Sequence, residues 1–244
     1  MGRFLISHGR DVIFEPEHGA PLVECAIYLQ GTVLGVLLNQ RGKIVLHASA
    51  VEMGGKAVLF CGPSGEGKST MAAALSMRGH RVIGDDVCAI GFDEKQRPVV
   101  SADARRLKLD DVCIDAMQLE AQRDEPAPGS KGKVYVNPPH GWNGHELLLG
   151  AIYMLQSGPE EIDHITQLPS ATALRKLRDN AHRPTLVRRT GQTARYFEAA
   201  AQILRHANVF TISRHRDLSR LAGTAAMLEE HWRSIGLSNG QTNN

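Results

Sequence analysis

The sequence predicts an α/β fold: a mixed sheet whose phosphate-binding loop is fed by a β-hairpin, with helices gathered in the last third of the chain. Three observations carry this. GPSGEGKST, residues 62–70, satisfies the pattern G-x-x-x-x-G-K-S/T between an apolar strand and a helix-forming run. Two strand-like runs flanking Met53-Gly54-Gly55 lead into that loop as a hairpin, where a Rossmann unit would supply a parallel strand. From Ser170 onward the apolar spacing is mostly helical.

Composition bounds the remainder. The chain has 244 residues, 42% hydrophobic and 22% charged, with a formal charge of +2. That balance offers no bulk attraction to nucleic acid or to a membrane surface, so neither is expected as a partner. Four cysteines, Cys25, Cys61, Cys88 and Cys113, stand singly in apolar runs, which predicts buried thiols in a reducing compartment. The start lacks the apolar core of a signal peptide, and no run approaches a membrane span, so a cytoplasmic protein is expected. We expect one domain over 1–237, with N-terminal strands in 1–40, a nucleotide-binding core in 41–160, a mostly helical part in 161–237 and a disordered polar tail, 238–244.

In chain order, Arg3 to Ser7, Val12 to Phe14, Leu22 to Leu29 and Val33 to Leu38 read as short strands of an antiparallel sheet. The hairpin and loop follow, then a helix from Lys68 to about Arg78 that presents Met71, Ala72 and Leu75 and stops at Gly79. HRVIGDDVCAI places Asp85 and Asp86 at the end of a short apolar run, where strand alternation lets the pair serve two different sites or one of them bend inward at Gly84. GFDEKQRP is a turn with Val99-Val100 as its return strand, RRLKL (105–109) a strand, and Asp110 to Ala121 a helix capped by Asp110 or Asp111. Residues 122–133 read as a long loop able to close over a site, KVYV as a strand, and residues 147–156 as a buried strand. Helices are expected over Ser170 to Asp179, Thr193 to His206 (facing inward with Phe197, Ala200, Ala201 and Leu204) and Leu218 to Trp232, with a strand at Asn208 to Ser213.

The loop chemistry names a ligand class. Gly62, Pro63, Ser64, Gly65, Glu66, Gly67, Lys68, Ser69 and Thr70 would wrap the phosphates of ATP or GTP, because glycines let backbone N–H groups and a helix N-terminus face an anion. Lys68 would reach the β/γ-phosphates and the Ser69 hydroxyl would ligate Mg2+. Asp85 is taken as general base on an acceptor hydroxyl and Asp86 as metal ligand, with the reverse open. Arg105, Arg106, Lys131 and Lys133 are the candidates for a cation on the transferring group.

LHASAV, GPSGEGKST and RGHRVIGDDV, in this order and spacing, resemble the C-terminal catalytic domain of HPr kinase/phosphorylase, a fold shared with phosphoenolpyruvate carboxykinase-like enzymes. The resemblance covers about residues 43–91. It implies that His47 is the histidine beside the phosphate loop and that Lys68, Asp85 and Asp86 are catalytic. The chain departs from that family in its short N-terminal part, in Thr70 where the family has glutamate, and in lacking the HPr-gripping and arginine regions. RRLKL, KVYV and the late helices are similar to the short HPr-kinase-like proteins of lasso peptide biosynthesis. That similarity implies an ATP-dependent kinase that phosphorylates a serine near the end of the peptide; a kinase acting on HPr or another protein serine and a small-molecule kinase stay open as alternatives, as does a homo-oligomer.

Overall fold

In the computed structural model, residues 2–19, 21–101, 106–127, 129, 130, 132–141, 144, 146–158 and 162–237 are described. Strands β1 (Gly2–Ser7) and β2 (Asp11–Pro16) form a separate two-stranded hairpin sheet. Helix α1 (Leu22–Tyr28) then runs through a π-turn, Leu29–Val33, into α2 (Leu34–Gln40). The hairpin and core follow: β3 (Ile44–Leu46), β4 (Ala48–Met53), β5 (Lys56–Cys61), α3 (Lys68–Met77), β6 (Val82–Gly84), β7 (Cys88–Phe92) and β8 (Pro98–Ser101). Next come β9 (Leu107–Asp110), α4 (Asp111–Ala116), β10 (Arg123–Pro126) and β11 (Lys133–Val136). The chain ends with β12 (Glu146–Ser157), β13 (His164–Gln167), α5 (Ser170–Asp179), α6 (Pro184–Arg189), α7 (Thr193–Ile203), β14 (Asn208–Arg214) and α8 (Leu221–Ser234).

The large sheet is mixed, in the order β3-β7-β8-β12-β5-β4-β6, with β14 parallel to β12 and β13 antiparallel to β14. Strand β5 lies antiparallel to β4 and parallel to β12, so the phosphate loop is hairpin-fed, as the sequence implied. Period-two alternation sorts β5 between two cores: Val58 and Phe60 face α3 and α8, while Ala57, Leu59 and Cys61 face α5 and α7. Covering both faces makes such strands continuously apolar, which is why β5 and β12 were legible as buried runs. All four cysteines are buried and none is bonded to another. Among the described residues no helix is long and apolar enough to cross a membrane.

Several sequence expectations are corrected. Residues 22–38 are helical, not strands. Short apolar runs fit either period; here Cys25 and Val33, about two turns apart, are both buried, and Gly31 and Thr32 fall within the π-turn. The helix expected to reach Ala121 ends at Ala116, and its N-cap is Asp110, whose Oδ1 accepts from Cys113 N at 2.9 Å. The stretch taken for a loop contributes β10, and Ala127 N donates to Lys133 O while Lys133 N donates to Ser130 O, so its described part is a closed hairpin. On α7 the inward residues are Tyr196, Ala199, Ala200 and Ile203, with Phe197 exposed. The tail 238–244 lies outside the described residues.

Candidate functional site

The site sits at the carboxyl ends of the parallel strands β5, β12 and β14, the usual position for a ligand in such a sheet. Gly62, Gly65 and Gly67 have φ of +149°, +87° and +77°, values that a side chain would strain. Gly67 is the N-cap of α3, and a Cβ there would lie 2.5 Å from Arg214 Nη2. Pro63, Ser64 and Gly65 are exposed at the loop's crest. Lys68 is buried and its Nζ donates to the carbonyls of Gly62 at 2.9 Å and Pro63 at 3.0 Å. Burial lowers its pKa, against the raising effect of Cys61, Asp85 and Asp86.

The loop is anchored from behind. Glu66 Oε2 accepts from Ser157 N (2.9 Å) and Ser157 Oγ (2.6 Å), and Glu66 Oε1 pairs with Arg216 at 2.6 Å. Arg214, only 5% exposed, donates from Nη2 to Glu66 O at 2.6 Å. Thr70 Oγ1 lies 3.5 Å from Cys113 Sγ, toward α4.

The two aspartates are turned apart by the backbone. Val87 N donates to Asp85 O at 2.9 Å, and Asp86 between them has φ +71°, a γ-turn of the strained, positive-φ kind. The bend therefore falls at Asp86 and not at Gly84, which completes β6. Asp85 Oδ1 accepts from Ser49 Oγ at 2.6 Å and from Ser69 Oγ at 2.8 Å, and its Oδ2 accepts from Lys108 N at 3.1 Å. Burial raises the pKa of this enclosed carboxyl, against the hydrogen bonds.

Asp86 faces the other way. Its Oδ2 pairs with Lys108 Nζ at 2.7 Å, and His47 Nδ1 lies 3.2 Å from Oδ1 and 3.1 Å from its own carbonyl oxygen. The hydrogen bond with His47, against burial and together with Lys108, holds this carboxyl well below the usual carboxylate range. His47 is set by the single residue between β3 and β4, where its N–H donates to Asn180 O. Behind it the buried His182 ring, 6.5 Å away between centroids, is pushed down to about 4 by burial and by Arg183.

The structure thus brings together Lys68, Ser69, Asp85, Asp86 and His47. Sequence reasoning missed Ser49, Lys108, Arg214, Arg216 and Ser157 as partners. A charged residue ending the buried run NVFTIS was the available signal for Arg214, and alternation within RRLKL was the signal for Lys108. Arg106 pairs with Glu125 at 2.8 Å and lies 4.0 Å over the Tyr135 ring, while Arg105 and Lys131 lie outside the described residues.

The positive-φ cradle, buried lysine and helix N-terminus make a surface whose chemistry suits an anion such as a polyphosphate. Ser69 Oγ and an aspartate oxygen are hard donors of the kind Mg2+ takes beside phosphate oxygens. Among the described residues no group of three or more His, Cys, Asp or Glu side chains could hold a metal ion without such help. The fold is similar to that of the Hpr(Ser) kinase/phosphatase from Coxiella burnetii, at 15% identity and a TM-score of 0.43, over 79% of this chain and 98% of that one. No family model and no curated protein matches the sequence.

Proposed function

We propose that the protein is a Mg2+-dependent kinase that transfers the γ-phosphate of ATP or GTP to a serine hydroxyl of a peptide. The observation that carries this is the pair of back-to-back carboxylates: Asp85 bonded to the phosphate-loop serine, Asp86 turned outward on Lys108 and His47. Lys68 and the loop N–H groups hold the phosphate chain and oppose its charge. Ser69 and Asp85 hold Mg2+, which neutralises phosphate charge when bound. Asp86, kept ionised beside the Lys108 ammonium and oriented by Lys108 and the His47 ring, accepts the proton of the acceptor hydroxyl. This reverses the roles first expected from sequence, because Asp85 is enclosed by the fold whereas the Asp86 carboxylate, though paired with Lys108 and His47, is 42% exposed and within reach of an acceptor.

For the acceptor we propose a ribosomally made precursor of the lasso type, with a serine near its end. The resemblance of RRLKL, KVYV and the late helices supports this reading. The test is incubation of the protein with Mg-ATP and, separately, a lasso-type precursor ending in serine, HPr and free serine, read by mass shift. One phosphate on the precursor alone is expected. Efficient labelling of HPr or free serine overturns the peptide reading, and labelling of none with ATP consumed overturns all three acceptors.

A further inference from the structure

We infer that Lys133 is the cation that meets the transferring phosphoryl group, an inference that rests on the kinase reading above. The three-stranded sheet β10-β11-β9 has one apolar face, where Leu107, Leu109, Val134 and Val136 are buried. Alternation puts Lys108 and Asp110 of β9, with Lys133 and Tyr135 of β11, on the opposite face, and Arg106, just before β9, lies over the Tyr135 ring. From that face Lys108 reaches Asp86.

Register then places Lys133 farther along the same face, opposite Asp110, as Tyr135 is opposite Lys108. Asp110 caps the helix whose Cys113 lies against Thr70 in the first turn of α3, so this end of the sheet borders the phosphate loop. The charge of Lys133 is felt at Lys68, where it adds a smaller lowering effect to that of burial.

Three neighbouring cations are committed elsewhere. Lys108 is spent on Asp86, Arg106 on Asp124 and Glu125, and Arg214 on Glu66 O behind the loop. Among the described residues the half-buried Lys133 ammonium has neither an ion pair nor a hydrogen bond. Its backbone, in contrast, is pinned on both sides, by Ala127 and Ser130 in the hairpin and by Asp110 in register. A long side chain on a fixed base, unpaired beside a phosphate site, is placed to stabilise charge that develops in transfer.

The experiment needs no acceptor. Binding of MgADP is measured with and without aluminium fluoride, which mimics the planar phosphoryl group, for the wild type, Lys133→Met and Lys133→Arg. Aluminium fluoride should tighten wild-type binding by about tenfold or more, Lys133→Met should lose that tightening, and Lys133→Arg should keep most of it. MgADP alone should weaken by less than about threefold in Lys133→Met, since a group acting on the transferred phosphate contributes little to the diphosphate. Tightening that survives Lys133→Met, or that is absent from the wild type while MgADP binds, overturns the inference and leaves nucleotide binding standing. A wild type that does not bind MgADP overturns the kinase reading itself and the inference with it.

Discussion

Ser69 Oγ donates a 2.8 Å hydrogen bond to Asp85 Oδ1, joining the first turn of α3 to the end of β6. This bond ties one aspartate to the phosphate loop and, through the γ-turn that follows, leaves the other facing outward. The two should separate experimentally. Asp86→Asn keeps shape and tolerates φ +71°, so nucleotide affinity should hold while kcat falls about a hundredfold. Asp85→Asn should instead raise the Mg2+ concentration needed for half-maximal activity. The opposite pattern, read by Mg2+ titration of both variants, would exchange the roles.

The loop's anchoring gives a second test. Gly67→Ala adds a Cβ 2.5 Å from Arg214 Nη2 in a left-handed conformation, so it should lower stability by about 1–2 kcal/mol and weaken nucleotide binding. Arg214→Met removes the obstacle and the bond to Glu66 O together. If crowding matters, Gly67→Ala in the Arg214→Met background should cost less than in the wild type, as a double-mutant cycle on Tm would reveal.

Legibility followed the range of the interactions. The hairpin and the loop could be read because their turn chemistry is local, fixed by residues such as Gly54, Gly55, Gly65 and Gly67 with positive φ. Strand β12 was readable because burial on both faces leaves an unbroken apolar run. Arg214 was not, since its contact with Glu66 spans 148 positions and depends on β14 lying parallel to β12. Phe197 misled because the α7 stripe could be drawn one residue away, and only the packed sheet decides between Tyr196 and Phe197.

At the C-terminal end of α3, opposite to its phosphate-loop end, Glu229 makes a two-pronged pair with Arg78, at 2.9 Å and 2.7 Å, and lies 3.0 Å from His80 Nε2. The hydrogen bonds from Arg78, against burial and aided by His80, bring its pKa from 4.5 down to about 2. A depressed carboxylate stabilises the fold above its unfolded pKa and loses that contribution as pH falls through the folded value. Glu229→Gln should therefore cost on the order of 2–3 kcal/mol near neutrality, a deficit that shrinks below about pH 4.5 and vanishes near pH 2. Urea denaturation at several pH values checks this, and a deficit independent of pH would mean that the pair acts through shape and not charge.

The helical N-terminal region can be tested with two glycines that the strand reading would treat alike. Gly31 lies in the π-turn with nothing within 4 Å of a would-be Cβ, whereas a Cβ on Gly35 would meet His182 Nδ1 at 2.7 Å. Alanine relieves the cost of glycine in a helix, so Gly31→Ala should stabilise by about 0.5–1 kcal/mol. Gly35→Ala has the same benefit but must displace the buried ring of His182, a residue whose backbone N–H is fixed to Val45 O, and should destabilise by about 1–3 kcal/mol. Because His182 packs behind His47, that displacement should also reach the site, lowering kcat through the partner of Asp86. Equal effects of the two substitutions on Tm would contradict the helix and restore a strand, in which neither glycine need face His182.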